Sequence, residues 1–205
     1  MLSESGSDVS TYSDKSRPYG LSYGQWTVKW WQWAVSFSEH LSPVIDRTGK
    51  LANSKQPFDV FFLAGIYGDT GKIFPTRKCV IPSGKSILFP VINYEANVLE
   101  YPDLRNEDDI LTNVANHMNS IVVKECFING KSIVPKRVHS DPKIFPLSVN
   151  KDMPGLDCGK NTFAASDGFW IFLKPLRRGK YKISFRGSCE NGTLSSGANY
   201  QLVAM

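Results

Sequence analysis

The sequence predicts a mainly β protein with two helices, folded as a single antiparallel β-sandwich domain of the jelly-roll type. Many short apolar runs separated by turn-forming Gly, Pro and Asn residues favour this architecture. Residues 181–185 alternate apolar and polar side chains, which is typical of a strand with one buried face. The Asn129-Gly130 dipeptide between two apolar runs signals a hairpin. No repeated strand–helix–strand pattern is visible, which argues against a dinucleotide-binding fold.

Residues 1–18 are predicted to be a disordered tail, because they are rich in Ser and Asp and lack an apolar core. The folded domain would then span residues 19–205. The sequence shows no secretory signal and no apolar run of the roughly 20 residues that a transmembrane helix needs. The default expectation is therefore a cytoplasmic protein, or an extracytoplasmic one if an upstream segment has been removed.

A tryptophan-rich helix is expected over about residues 22–38. Ser22 begins a capping-box pattern, and Trp26, Trp30 and Trp33 recur at helical spacing on one face. We interpret this stripe as part of the core, because each indole buries roughly 150–250 Å². The alternative is an exposed face that stacks on a ligand or docks onto a partner.

The tripeptide Gly84-Lys85-Ser86 matches the end of a phosphate-binding loop, but the rest of that motif is absent. Cys79 occupies the position of the first glycine, and the following residues form a β-type run containing a proline rather than a helix. We instead predict a hairpin over residues 78–92 with a tight turn at 82–85. No bound nucleotide is expected.

The rest of the chain is predicted as one more helix and several strands. Asn106 precedes three acidic residues and should cap a second helix at about residues 106–119. The further strands are expected at residues 58–63, 121–128, 131–138, 168–174, 181–185 and 199–204.

Charge and motif content exclude several classes of protein. The formal net charge is +5, but the basic residues are scattered, so a nucleic-acid partner is disfavoured. His40, His117 and His139 lack metal-ligand spacing, no Cys-x-x-Cys pair occurs, and no nucleophile elbow is present. These absences favour a protein that is not an enzyme.

The four cysteines fall into two groups. Cys79 and Cys126 lie in apolar strand-like runs and are expected to be buried thiols. Cys158 and Cys189 lie in Gly- and Asn-containing loops, and they are the favoured pair if a disulfide forms.

Several ordered blocks together resemble a family of uncharacterised microbial proteins. The blocks contain the patterns YGxSYGxWTxKWWQWA, FLAG, CxxPxGKxxxFPxxN and SDGxWxxLKPL, at residues 19–34, 62–65, 79–93 and 166–176. The resemblance implies no activity and no catalytic residues. It does imply a cysteine before the second block as a partner for Cys79, but residues 51–56 contain none. A disulfide at Cys79 is therefore not expected.

Two polar clusters adjoin predicted strands and form the candidate ligand site. Asn93, Tyr94 and Glu95 follow one apolar run, and Asp167 precedes the strand that contains Trp170. If these strands are neighbours, Asn93, Glu95 and Asp167 would line one polar pocket, with Tyr94 and Trp170 as an aromatic wall. Glu95 and Asp167 could then bind calcium or act as a carboxylate pair. The alternative is that these residues only form turns.

These observations lead to three hypotheses for function. The first is a non-enzymatic β-sandwich module that binds a small polar ligand, a glycan or a protein. The second is a hydrolase that uses Glu95 and Asp167, whose carboxyl groups would then lie within about 10 Å of each other. The third is a structural subunit that docks through an exposed tryptophan-rich helix.

Overall fold

The structure, a computed structural model, describes residues 9–67, 74–153 and 161–205. In chain order the elements are α1 (Tyr23–Ala34), β1 (Val60–Phe62), β2 (Ile66–Tyr67), β3 (Thr76–Ile81), β4 (Ser86–Asn97), α2 (Glu107–Asn119), β5 (Ile121–Ile128), β6 (Lys131–Ser132), β7 (Lys136–His139), β8 (Phe145–Ser148), β9 (Asn161–Leu173), β10 (Gly179–Cys189) and β11 (Ser195–Ala204), together with the 3-10 turns Pro18–Gly20 and Glu39–Leu41.

Within these described ranges the strands form two sheets, which confirms a mainly β fold with two α-helices. The first sheet has the order β1-β4-β9-β7, and β8 also pairs with β9. The second has the order β2-β11-β10-β5-β6, and β3 also pairs with β11. Most neighbours are antiparallel, but β1 runs parallel to β4 and β3 runs parallel to β11. The sandwich therefore consists of mixed rather than purely antiparallel sheets.

The two sheets bury one apolar core between them. Phe89 of the first sheet packs on Phe185 of the second, with ring centroids 4.9 Å apart. Ile87 and Ile171 from the first sheet and Ile183 from the second belong to the same cluster. This is the interior that the alternation at residues 181–185 predicts, because every second residue of β10 points into it.

Helix α1 forms a third layer on the outer face of the first sheet. Its capping box is confirmed: Gln25 N donates to Ser22 Oγ over 3.1 Å, and Ser22 N donates to Gln25 Oε1 over 2.8 Å. The helix ends at Ala34, before the predicted end at about residue 38. A 3-10 turn follows at Glu39–Leu41.

The tryptophan stripe is core, as we interpreted it from the sequence. Trp30 is completely buried, and its Nε1 donates to the backbone oxygen of Leu63 over 2.9 Å. Its ring meets those of Trp31 and Trp170 edge-on, with centroids 5.2 and 5.4 Å apart. All four tryptophans of the helix are buried, namely Trp26, Trp30, Trp31 and Trp33. The stripe is therefore not an exposed docking face.

Helix α2 covers the end of the first sheet that the second sheet leaves open. The predicted cap is confirmed, because Asp109 N donates to the side chain of Asn106 over 3.0 Å. Ile110 and Val114 pack against Ala96 of β4 and Ala165 of β9. The inner face of the first sheet is thus covered partly by the second sheet and partly by this helix.

The predicted hairpin over residues 78–92 is wrong, although its turn is present. β3 belongs to the second sheet and β4 to the first, so the turn carries the chain across the sandwich. Gly84 adopts φ of +84° in this turn, and its N–H donates to Leu176 O over 2.9 Å. Local sequence identifies the turn, but the partners of its flanking strands are chosen by distant residues.

The hairpin at Asn129-Gly130 is confirmed as the link between β5 and β6. Both turn residues have positive φ, 50° and 80°, as a type I′ turn requires. The return strand is shorter than predicted. It ends at Ser132, and the chain resumes after Pro135 as β7 in the first sheet. Proline removes a donor from the ladder, which suits this crossing point.

The predicted tail differs from the structure over the part that can be described. Residues 1–8 lie outside the described residues. Tyr12 N donates to Phe172 O over 2.8 Å, Lys174 N donates to Ser10 O over 2.9 Å, and the rings of Tyr12 and Phe172 pack edge-on. The polar composition of this segment does not indicate its pairing with β9. Tyr12 is the aromatic residue that holds it there.

Three of the four cysteines can be placed. Cys79 and Cys126 are buried free thiols in the interior, as predicted. Cys189 is also a free thiol, and Cys158 lies outside the described residues. Neither helix among the elements described above is both long and apolar enough to cross a membrane.

The packing of α1 leads to a stability prediction. Replacing Trp30 with Ala should lower the free energy of unfolding by about 3–5 kcal/mol, because it empties the centre of the helix–sheet core. Urea denaturation would measure this loss. Phe58→Ala is the matched control, because Phe58 is 88% exposed and its loss should change stability by less than about 0.5 kcal/mol. Equal effects of the two substitutions would contradict this account of the core.

Candidate functional site

The polar residues of both predicted clusters lie inside strands rather than after them. β4 continues to Asn97 and β9 begins at Asn161, and the two strands are antiparallel neighbours. Asn93 lies opposite Gly168, and Glu95 opposite Ser166. The two strands are therefore neighbours, which is the condition for the predicted pocket, but the clusters meet in the body of a sheet and not at its loops.

A β-bulge in β4 decides which way these side chains point. The register shifts between Pro90 and Ile92, so that Val91 and Ile92 both face the interior. Ile92 approaches Gly187 of the second sheet so closely that a Cβ on that glycine would lie 2.4 Å from the Ile92 Cβ. Beyond the bulge, Asn93, Glu95 and Asn97 point to the outer face, and Tyr94 points to the inner one.

The outer face carries a pair of carboxyl groups bridged by an amide. Asn97 Nδ2 donates to Glu95 Oε1 over 3.0 Å and to Glu100 Oε2 over 2.9 Å. Asn97 itself is held by the turn that follows β4, because its Oδ1 accepts from the backbone N–H of Leu99 over 2.9 Å. Glu95 is only 6% exposed, and Glu100 is half-buried.

Burial makes this pair hold protons at neutral pH. Loss of hydration, followed by the nearby Glu100 charge, raises the pKa of Glu95 to about 8. Burial likewise raises the pKa of Glu100 to about 7, although its hydrogen bonds to Glu95 and Asn97 oppose the rise. Two adjacent carboxylates repel each other, so the pair shares protons rather than ionising fully. It therefore offers a donor and an acceptor side by side.

Two buried N–H donors lie on the same face. Asn93 uses its Oδ1 to accept from Tyr67 Oη over 2.6 Å, but its Nδ2 has no partner among the described residues. Trp170 Nε1 is also without an acceptor there. Gly168 separates them, and a Cβ on it would lie 2.7 Å from both Asn93 Cβ and Trp170 Nε1. Unpaired buried donors are rare in folded proteins, and each calls for an explanation such as a bound water or ligand.

We call this set the Glu95 cluster. It consists of Tyr67, Asn93, Glu95, Asn97, Glu100 and Trp170. Tyr67 joins it from β2, and the negative charge of Glu95 contributes, after burial, to a raised pKa of the Tyr67 hydroxyl. The cluster thus combines aromatic rings, unpaired donors and a proton-sharing carboxyl pair on one face of the first sheet.

Asp167 lies on the opposite face, where its contacts are saturated. It pairs in register with Tyr94 and His139, and its Oδ2 accepts from Arg137 Nη2 over 2.6 Å and from Arg137 Nε over 3.0 Å. His139 Nδ1 lies 3.5 Å from the same oxygen. Oδ1 accepts from the Gly168 N–H over 2.7 Å. The side chain is completely buried. Asp167 therefore ties β7 to β9 rather than facing a ligand.

Tyr94 also points to the face of the first sheet that α2 covers. Its ring stacks on His117 of α2 with centroids 3.9 Å apart, and its hydroxyl donates to Tyr101 Oη over 2.5 Å. Trp170, the other predicted aromatic wall residue, is on the Glu95 side but is buried against Trp30. Its ring face is covered, and its indole N–H is buried without an acceptor among the described residues.

The predicted single pocket of Asn93, Glu95 and Asp167 is therefore wrong for Asp167. Asn93 and Glu95 share a face, but Asp167 and Tyr94 share the other. Glu95 and Asp167 cannot coordinate one calcium ion or act as a pair from opposite sides of a sheet. Within the described ranges no group of three or more His, Cys, Asp or Glu residues is placed to hold a metal ion.

Sequence reasoning missed Asn97, Glu100 and Tyr67. Asn97 could have been found, because Asn93, Glu95 and Asn97 recur at the spacing of one strand face. Glu100 lies in the turn after β4, and Tyr67 comes from the other sheet. No local pattern brings either of them to Glu95.

Comparisons of the chain with protein-family models, with curated proteins and with solved structures each found no match. The family resemblance of the four sequence blocks therefore stays a prediction, and the geometry of the Glu95 cluster carries the functional argument.

The raised pKa values predict how stability depends on pH. The folded state holds protons on Glu95 and Glu100 that the unfolded chain releases near pH 4.5, so these residues lower the free energy of unfolding progressively as pH rises from about 4.5 to about 8. Glu95→Gln should remove about 1–3 kcal/mol of this decline, because each pKa unit is worth about 1.4 kcal/mol. Urea denaturation at about pH 5 and pH 8 measures it.

The exposed residue Glu125 supplies the control for this experiment. Its carboxylate pairs with Arg186 on the solvent face of the second sheet. Glu125→Gln should leave the pH-dependent loss of stability above pH 5 as it is in the unaltered protein. If Glu95→Gln also leaves that loss unchanged, the carboxyl pair does not hold protons as described.

Proposed function

We propose that the Glu95 cluster binds a small, uncharged ligand rich in hydroxyl groups, such as a sugar, and that the protein is a binding module. The observation that carries this proposal is the pair of buried donors, Asn93 Nδ2 and Trp170 Nε1, without an acceptor among the described residues. A buried N–H without a partner costs about 1–3 kcal/mol. A ligand oxygen that reaches these N–H groups could accept from them.

The carboxyl pair supports the same class of ligand. A protonated carboxyl donates and a carboxylate accepts, and each hydroxyl group of a sugar does both. Asn97 fixes the positions of Glu95 and Glu100. Binding a ligand would therefore cost little further side-chain entropy at these two residues. The Glu95 cluster contains no Lys or Arg, which disfavours an anionic ligand.

The turn after β4 is where we expect a ligand to enter. Glu100 is half-buried, and its neighbours Val98 and Leu99 are exposed. Tyr67 is half-buried on the other side. A ligand could therefore reach Glu100 from solvent and extend inward to Glu95, with the ring of Tyr67 beside it. Sugar sites commonly place an aromatic ring beside carboxyl and amide groups, because the ring covers the apolar face of the sugar.

An acid–base hydrolase is the second candidate. The raised pKa of Glu95 favours it, because a carboxyl that stays protonated at neutral pH can act as a general acid. The partner would be Glu100 instead of Asp167. The spacing disfavours a glycosidase, because carboxyls within hydrogen-bond reach are closer than the roughly 5–9.5 Å found in those enzymes. The third hypothesis, docking through the tryptophan-rich helix, has lost its motivating feature because those indoles are buried.

A ligand screen with one central variant tests the proposal. We expect calorimetric titration with a panel of monosaccharides, disaccharides and polyols to detect at least one ligand. Glu95→Gln should weaken its binding about tenfold, because the amide cannot replace the proton that the two carboxyls share and a neutral hydrogen bond contributes about 0.5–1.5 kcal/mol. Glu125→Gln should bind as the unaltered protein does.

Two results would decide against binding at this site. Absence of binding across the panel would reject the sugar class, and binding that survives Glu95→Gln would place the ligand elsewhere. Incubation with chromogenic aryl glycosides and esters separates the second candidate. Turnover that Glu95→Gln reduces by about a hundredfold or more would establish a hydrolase instead.

A further inference from the structure

A second, unrelated groove lies on the outer face of the second sheet. It has a volume of about 490 Å³ and runs across β10, β11 and β3. Its floor is largely apolar and includes the exposed side chain of Val80 and the half-buried Val203. This size is within the range of small-molecule sites, which is roughly 300–1,000 Å³.

Four lysines surround the groove in a regular arrangement. In register across the sheet, Lys182 lies beside Gln201, and Gln201 lies beside Lys78. Lys180 is two residues before Lys182 on the same face, and Lys50 stands on the wall opposite. Strand geometry puts Lys180 and Lys182 about 7 Å apart at the backbone, and Lys182 and Lys78 about 9.5 Å apart.

The wall of the groove is built by close packing and not by a loose loop. Thr48 O accepts from Lys78 N over 2.9 Å, which fastens residues 46–53 to the edge of β3. Gly49 has φ of +86°, and a Cβ there would lie 2.7 Å from Lys78 O. Only glycine fits this approach. The segment thereby holds Lys50 and Asn53 over the groove.

The positive charge of the groove is uncompensated. All four lysines are exposed, none forms an ion pair within the described ranges, and no Asp or Glu is among the lining residues. Asp46, the one acid of the wall segment, is occupied by Thr48 and by the N–H of Leu51. Four like charges around one groove repel each other, and a bound anion relieves that repulsion.

We propose that this groove binds a small polyanion with two or more phosphate, sulfate or carboxylate groups about 7–10 Å apart. Lys182 and Lys78 hold anionic groups on either side of Gln201, whose amide donates to the ligand between them. Lys50 and Lys180 close the two ends. The apolar floor contacts the uncharged part of the ligand. The site shares no residue with the Glu95 cluster, which lies on the outer face of the first sheet.

Calorimetric titration with three probes tests this site and identifies the anionic group. Tripolyphosphate, a polysulfated disaccharide and citrate represent phosphate, sulfate and carboxylate ligands. We expect at least one to bind at low ionic strength, and its affinity to fall several-fold at physiological ionic strength, because salt screens exposed charges. The strongest of the three identifies the preferred group.

Two double variants of equal charge make the test specific. K78A/K182A should weaken binding about tenfold or more, whereas K143A/K151A should change it less than about twofold. Lys143 and Lys151 are exposed, and the segments that carry them adjoin β8 of the first sheet. Gln201→Glu, a single substitution on the solvent face, should abolish binding by placing a negative charge between the two lysines.

Two outcomes would contradict the proposal that the groove is an anion site. If both double variants weaken binding alike, the anion is attracted only by the net charge of +5, and the groove is not a site. If none of the probes binds at low ionic strength, the proposal is wrong. Thermal melting of each variant identifies any loss of affinity that comes from unfolding.

Discussion

The antiparallel pairing of β4 with β9 is the contact on which the rest of the molecule depends, because both strands are covered on both faces. Eleven of the twelve residues of β4 are buried. The second sheet and α2 cover one side, and α1 with its indoles covers the other. A polar side chain in this pair has no access to bulk water and must find its partners within the protein or in a ligand.

The two polar groups of this pair meet that requirement in different ways. On the α2 side, Asp167 accepts hydrogen bonds from Arg137 and from the Gly168 N–H, so its oxygens are satisfied inside the fold. On the α1 side, Asn93 and Trp170 have donors without acceptors among the described residues, and Glu95 keeps a proton that it would lose in water. Both groups contain a buried carboxyl. The group whose polar atoms all have hydrogen-bond partners is structural, and the group with unpaired donors is the candidate for binding.

Most elements could be predicted from local sequence, since the caps at Ser22 and Asn106 and the Asn129-Gly130 turn each depend on adjacent residues. The pairing of β4 with β9 does not follow from local sequence, and the pocket predicted from residues 93–95 and 167–170 only assumed it. The face of each side chain could not be predicted, because the bulge at Val91 reverses the alternation that follows. At the bulge Ile92 packs closely on Gly187, almost a hundred residues away in the chain, so the local sequence does not reveal the bulge. The partners of β3 and β4 were unpredictable for the same reason.

The crossing turn at Pro82–Lys85 has a consequence for how the chain folds. The chain passes from one sheet to the other in the connections from β1 to β2, β3 to β4, β4 to β5, β6 to β7 and β9 to β10. Neither sheet is therefore encoded by a continuous stretch of sequence, and any fragment that contains all strands of one sheet also contains strands of the other. Such a topology closes long loops before its contacts form, so folding is slow, and the two sheets are gained or lost together as one cooperative unit.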